Sequence, residues 1–247
     1  MALRKSSLGQ LFKDDSTMIR KLGFALLWLG FSVYAFVFAP PAVPDTFDAI
    51  LQLSTGQWAQ INPAVVALFN LMGIWPMVYA CLMLIDGVEQ KIPAWPFVMA
   101  SFAVGAFAVL PYLTLREPSF ALDEAGFAGG EKSKLLRVVD AVWSGRAIAL
   151  GSVVLLSYGI LNGDWGDFAQ QWQTNQFIHV MSLDFCMLCA IVSALVKDDM
   201  AKREMESPVL FWIAALVPLL GVAFYLSVRT PLGTGDGEDI AVTGAAS

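Results

Sequence analysis

Histidine is almost absent from this 247-residue chain, where His179 stands alone. A single imidazole cannot build a multi-histidine metal or haem site within one chain. Cysteine is scarce as well, and Cys81, Cys186 and Cys189 all fall in apolar runs, where a thiol acts more often as a small hydrophobe than as a disulfide partner. The Cys-x-x-Cys spacing of the last two puts both on one face of one helix. A redox or metal motif of that spacing normally sits at a loop-to-helix junction, so packing is the expected role. Charge is thin, at 15% of residues, and the net charge is −6. With no basic block beyond short clusters, nucleic acid is not an expected partner. Glycine-rich phosphate loops, serine nucleophile elbows and zinc-ligand pairs are missing too, which removes soluble-type catalysis.

What the chain has is apolar surface. Hydrophobic residues make up 57% of it, more than a water-soluble domain of this size can bury, and they come in long runs instead of amphipathic or alternating patterns. Six segments are long enough to cross a hydrocarbon core, at 22–39, 64–85, 97–115, 142–161, 177–196 and 209–228. The expected fold is therefore an all-α membrane protein with six transmembrane helices. Pro40, Pro41, Pro44, Pro63, Pro93, Pro96 and Pro208 punctuate the segment ends, and Trp58, Trp95, Trp165, Trp172 and Trp212 cluster there, as interfacial indoles do. Residues 1–21 form a polar N-terminal segment. The loop from Pro40 to Pro63 contains Phe47, Ile50 and Leu51 at the spacing of a short surface helix, and Lys132 to Val139 predicts a second short helix. The Gly-rich polar tail, 232–247, is expected to be disordered.

The chain also repeats itself. Tyr112-Leu113-Thr114-Leu115-Arg116-Glu117-Pro118 matches Tyr225-Leu226-Ser227-Val228-Arg229-Thr230-Pro231, and Asp86 matches Asp199, at an offset of 113 residues in the numbering. Gln57-Trp58 matches Gln171-Trp172 one residue further on. Three crossings per unit would insert the second unit (119–231) upside down relative to the first (22–118), giving two three-helix inverted repeats. In that arrangement the fifteen basic residues divide seven against eight between the two sides. Such a near-tie is what an inverted duplication produces.

Ionisable and polar residues inside a span are the candidate site, because a charge at mid-bilayer costs about 2.5–3.5 kcal/mol even on insertion scales. Asp184 and His179 lie in the fifth segment, roughly 140° apart around a helix. Asn70 and Tyr79 lie on the second, beside Trp75 and the kink-prone Pro76. Asp184 can serve as a proton acceptor, pigment contact or solute ligand with His179 at the mouth. Alternatively it is hydrogen-bonded to a neighbouring helix, through Asn70, Tyr79 or Ser182, and serves packing.

Three stretches carry a resemblance: Phe69-Asn70-Leu71-Met72-Gly73-Ile74-Trp75-Pro76, Pro93-Ala94-Trp95-Pro96-Phe97, and the run from Phe177 through Asp184 to Asp199. Together they resemble a family of cyanobacterial and plastid membrane proteins known mainly as a domain of unknown function. A weaker similarity reaches the plastid membrane proteins required for neoxanthin formation, through Asp184, Asp199, Pro218, Gly221, Tyr225, Leu226 and Arg229. Val222 stands where that pattern has proline, and this chain has six apolar segments where that family has four. The resemblance implies a thylakoid or plastid membrane location and contact with membrane lipid, photosynthetic membrane complexes and pigment, carotenoid or chlorophyll. On it rests the expectation of a non-enzymatic accessory or assembly component. The alternatives are a carotenoid- or lipid-modifying enzyme and a small-solute transporter.

Overall fold

The computed structural model describes residues 2–117 and 130–232, with side chains over 17–117 and 134–232. All regular secondary structure among the described residues is helical, with no strand. Four helical stretches are long and apolar enough to cross a membrane: Thr17–Phe38, Pro63–Asp86, Val142–Asn162 and Gln176–Lys202. These correspond to the first, second, fourth and fifth expected segments. Their outward faces are apolar, with Leu22, Phe36, Leu150 and Leu161 all exposed, as in a helical membrane protein.

The first stretch is the end of α1 (Ala2–Val33), continued by one π-helical turn, Tyr34–Phe38, so the polar N-terminal segment is part of the same helix. A short helix, α2 (Thr46–Thr55), follows, where the spacing of Phe47, Ile50 and Leu51 predicts one. Next comes α3 (Pro63–Asp86), which begins with proline at its first position and Asn62 as its cap.

The third expected segment is not one helix. It is broken into α4 (Trp95–Val104) and α5 (Ala106–Leu115), with Gly105 between them at φ 51°, a conformation that disfavours any residue with a Cβ. Each half has ten residues and so rises only about 15 Å, half of a hydrocarbon core of about 30 Å. The sixth segment behaves likewise. It is divided into α11 (Pro208–Leu216) and α12 (Leu220–Val228), with Leu219 at φ 56° in the break. Between these hairpins run α6 (Gly130–Asp140), α7 (Val142–Asn162), α8 (Trp165–Thr174), α9 (Gln176–Ile191) and α10 (Ser193–Lys202). The short helix at Lys132 to Val139 thus appears as α6, whereas α8 was not foreseen. The expected disordered tail lies outside the described residues, apart from Leu232.

Contacts fix the direction of each element. Val65 and Val66 of α3 pack with Ile178 and Met181 of α9. Further along, Tyr79 donates to the Leu188 carbonyl at 2.8 Å, and Lys202 lies 3.8 Å from Asp86. Hence α3 and α9–α10 run parallel. The helix α7 runs antiparallel to α3: a Cβ on Gly159 would meet Ala67, and one on Gly163 would meet Ala64. The α4–α5 hairpin starts beside Gly87, against which Ala94 packs, and ends at Arg116, which pairs with Asp86. Its two ends therefore share one end of the bundle. The same holds for α11–α12, whose last residues bring Thr230 to Arg203 and Arg229 to Asp199. Asp86 and Asp199, expected at opposite ends of an inverted pair, instead lie at the same end. That end is called the charged end below; the other, where Asn62 donates to Asp167 at 2.7 Å, is the far end.

Close packing of α7 on α12 depends on Gly145, where an added Cβ would lie 2.2 Å from the Leu226 carbonyl. Gly145→Ala is expected to lower stability by about 1–3 kcal/mol, read as a fall in the thermal unfolding midpoint in detergent. Gly73→Ala, with nothing within 4 Å, is the contrast: it is expected to be neutral or to stabilise by up to about 1 kcal/mol.

Candidate functional site

The repeated residues fold into two copies of one clamp. In the first, the Tyr112 hydroxyl donates to Asp86 at 2.5 Å and the Arg116 guanidinium bonds the same carboxylate. In the second, Tyr225 donates to Asp199 at 2.6 Å and Arg229 donates to it at 3.0 Å. Each Asp lies at or near the charged end of a long helical stretch, and each Tyr and Arg, four residues apart, lie on one face at the end of the outgoing half of a hairpin. The correspondence extends outward by the same offset. Gln90 donates to the Glu117 carbonyl at 2.6 Å, and Arg203 donates to the Thr230 carbonyl. Asn62 caps α3 and Asn175 caps α9, each through its side-chain oxygen.

The clamps are linked into one buried ionic layer. Arg116, 0% exposed, reaches Asp198 as well as Asp86, and Arg20 of α1 lies 3.9 Å from Asp198. Arg203 pairs with Asp140 at 2.7 Å and Asp199 at 2.9 Å, and Arg229, 1% exposed, donates to the carbonyls of Val139 and Cys81. Burial opposes the charge on Arg203 and Arg116. Even so, Asp199 and Asp140 hold the Arg203 pKa above its ordinary value, and Asp86 and Asp198 do the same for Arg116. Both guanidinium groups therefore stay charged at any accessible pH. With each carboxylate matched by a cation, this layer is a fastening and not an ion-binding site.

The four residues picked from sequence go to separate places. Asp184 is buried, and its Oδ1 accepts the Ala106 N–H at 2.8 Å, so it caps α5 at the tip of the first hairpin. Its other oxygen lies against Gly105, where a Cβ would come within 1.9 Å. Glycine at 105 is thus required twice, by φ and by this contact. Neither Asn70 nor Tyr79 joins Asp184: Asn70 donates to Val66 in its own helix, and Tyr79 donates to Leu188. Ser182 likewise bonds back to Ile178. The face of α3 around Pro76 is filled, since Trp75, Pro76, Val78 and Tyr79 are all buried.

His179 belongs to a different cluster, at the far end. Its Nδ1 is 2.8 Å from the Trp172 carbonyl, which can only accept, so Nδ1 carries a proton, and Nε2 shares a hydrogen bond of 2.9 Å with the Tyr34 hydroxyl, which donates to it when the ring is neutral. The Trp172 ring lies on the imidazole, with centroids 4.5 Å apart. The two cysteines of the Cys-x-x-Cys also part company. Cys186 is exposed, whereas Cys189 is half-buried, beside the Leu219 backbone at the second hairpin tip. Among the described residues no group of three or more His, Cys, Asp or Glu could hold a metal ion.

Reading the intramembrane carboxylate as the centre missed the ionic layer. The 113-residue offset shared by Asp, Tyr and Arg was the signal that could have found it. Three types of polar residue preserved together in both copies imply a bonded set. Comparison with protein-family models, curated proteins and solved structures finds no match to this chain.

Because the clamps are equivalent, their loss should cost alike. Tyr112→Phe and Tyr225→Phe are each expected to destabilise by about 1.5–3 kcal/mol, the range for a hydrogen bond to a charged group. Asp199→Ala, which removes the carboxylate shared by two buried guanidinium groups and leaves Arg229 without a close one, is expected to cost about 3–5 kcal/mol or to abolish folding. Denaturant titration in mixed micelles measures both, and a large difference between the two tyrosines would contradict the equivalence.

Proposed function

We propose that the chain is a four-span membrane protein made of two parallel units, each with two crossings and one re-entrant hairpin that enters and leaves at the charged end. One observation carries this reading. When the hairpins turn back instead of crossing, every one of the fifteen lysines and arginines belongs to a segment at or next to the charged end. The segments 39–62 and 163–175 contain none, only Asp45, Asp48, Asp164 and Asp167. The positive-inside rule, evenly balanced for six spans, then favours one orientation strongly, with the charged end on the cytoplasmic or stromal side.

Within that frame the protein acts as a non-enzymatic accessory or assembly component, holding lipids, pigments or other membrane proteins against its apolar faces. What supports this is the division of labour in the fold. The buried charges are bonded to one another or to backbone, and the surfaces left for partners are apolar. The resemblance to cyanobacterial and plastid membrane proteins makes a thylakoid or plastid membrane the proposed location. A transporter reading draws on a different observation: two broken helices meet α9 near its middle, around Asp184 and Cys189, a pattern used for midplane solute sites. Asp184 is already engaged as a cap there, which favours the accessory role.

Single cysteines introduced at Lys91, Lys134 and Glu206 are expected to react with an impermeant maleimide from one side of sealed vesicles, and those at Gln60 and Gln170 from the other. Opposite sidedness of positions 91 and 134 would restore six spans. Gentle extraction from the native membrane is expected to co-purify a complex, lipid or pigment. A bare monomer would count against the accessory role, and solute uptake into proteoliposomes that Asp184→Asn abolished would establish the transporter instead.

A further inference from the structure

The two units are alike except along one seam. In one pairing of the units, α3 and α7 are in close contact along their lengths through Gly159 and Gly163. The equivalent pair, α9 with α1, is pinned only at its ends. At the far end Tyr34 bonds His179, and the Gln176 side chain donates to the Ala35 carbonyl at 3.0 Å. At the charged end Arg20 faces Asp198. Between the pins the helices stand apart, leaving an open groove of about 730 Å³. Phe24, Leu27 and Phe31 line one wall, and Leu183, Met187 and Ala190 the other.

Pinning at both ends makes the gap a property of the fold and not of one loose helix. The groove is about as long as one leaflet is deep, residues 183–194 of α9–α10 rising about 16 Å against about 15 Å for half of a 30 Å core, and it runs from the far end past the middle of the α9–α10 stretch. No charged residue lines it. Its far-end mouth is polar in a specific way. Tyr34, set by the π turn and held by His179, and Trp172, stacked on His179, both face the groove. The Trp172 indole N–H has no hydrogen bond among the described residues, so the mouth offers one donor and, on the Tyr34 oxygen, one acceptor. The loops around it contain four aspartates and no basic residue. An anionic headgroup would meet only like charge there.

We infer that this groove is a lipid site, taking one acyl chain of a lipid with no net charge, inserted from the far-end leaflet with its ester carbonyl at the Trp172 indole. The inference rests on the membrane reading above and adds to it a ligand class and a place. The asymmetric seam then has a use: the α3–α7 side holds the units together, and the α1–α9 side holds the lipid.

Native mass spectrometry of the delipidated full chain in detergent tests this. Phosphatidylcholine and phosphatidylglycerol with identical acyl chains are added in turn. One tightly held phosphatidylcholine adduct is expected, with phosphatidylglycerol binding more weakly. Ala190→Phe, which fills the groove, and Trp172→Phe, which keeps the ring and removes the N–H, are expected to weaken the adduct, the former about ten-fold. Leu150→Phe, on the exposed face of α7, is expected to leave it unchanged. If Ala190→Phe lowers the unfolding midpoint, Trp172→Phe decides alone. The proposal fails if no adduct persists, if phosphatidylglycerol binds better, if all three variants behave alike, or if a second protein chain occupies the seam. The maleimide experiment separates the failures: the sidedness given above with no adduct defeats this site alone.

Discussion

A carboxylate at the end of a long helix, bonded to a tyrosine and an arginine four residues apart on the next hairpin, governs the architecture. The bond between Asp86 and Arg116 requires the end of α5 to return to where α3 ended, and Asp199 with Arg229 does the same for α12. Helices of nine or ten residues cannot reach the opposite end of the bundle in any case. The clamp turns that shortfall into a defined hairpin. Its energetic logic is that of any buried ion pair: the complete set is close to neutral, and losing one member leaves a charge stranded in an apolar interior. The layer therefore sets which arrangement forms more than it adds to the stability of that arrangement.

From the clamp follow the hairpin tips. Each tip is delivered to α9 from the charged end: the first is received by the Asp184 carboxylate, and the second, at Leu219, lies beside Cys189. Backbone breaks inside an apolar bundle expose N–H groups that cannot go unbonded. Asp184 meets that need for Ala106, which explains an ionisable residue in the middle of a span without invoking chemistry. The first unit has no counterpart, since Leu71 stands at the equivalent position.

Much of this was legible in the sequence, and what was not has physical causes. Apolar runs located the helices to within a few residues, the spacing around Phe47 located α2, and the repeat was plain. Hydropathy could not separate a crossing from a hairpin, because twenty apolar residues have the same composition whether they form one helix or two halves. Gly105 and Pro218, aligned at the repeat offset, were the only local signs of a break, and each is individually common in membrane helices. Counting each broken segment as a crossing makes the basic residues look evenly divided, whereas counting the four long stretches does not. Asp184 and His179 stand out in the sequence, but Ala106 and Tyr34 are distant from them along the chain, and Trp172, seven residues before His179, lies in a separate helix, so helical spacing shows none of these partners.

The two crossings per unit proposed above have a consequence for how such a molecule can arise. A tandem copy of a two-crossing segment enters the bilayer facing the same way as its parent, with its lysines and arginines already on the correct side. Gene duplication alone then yields a workable protein. A three-crossing ancestor would have had to redistribute its charges before a second copy could be tolerated.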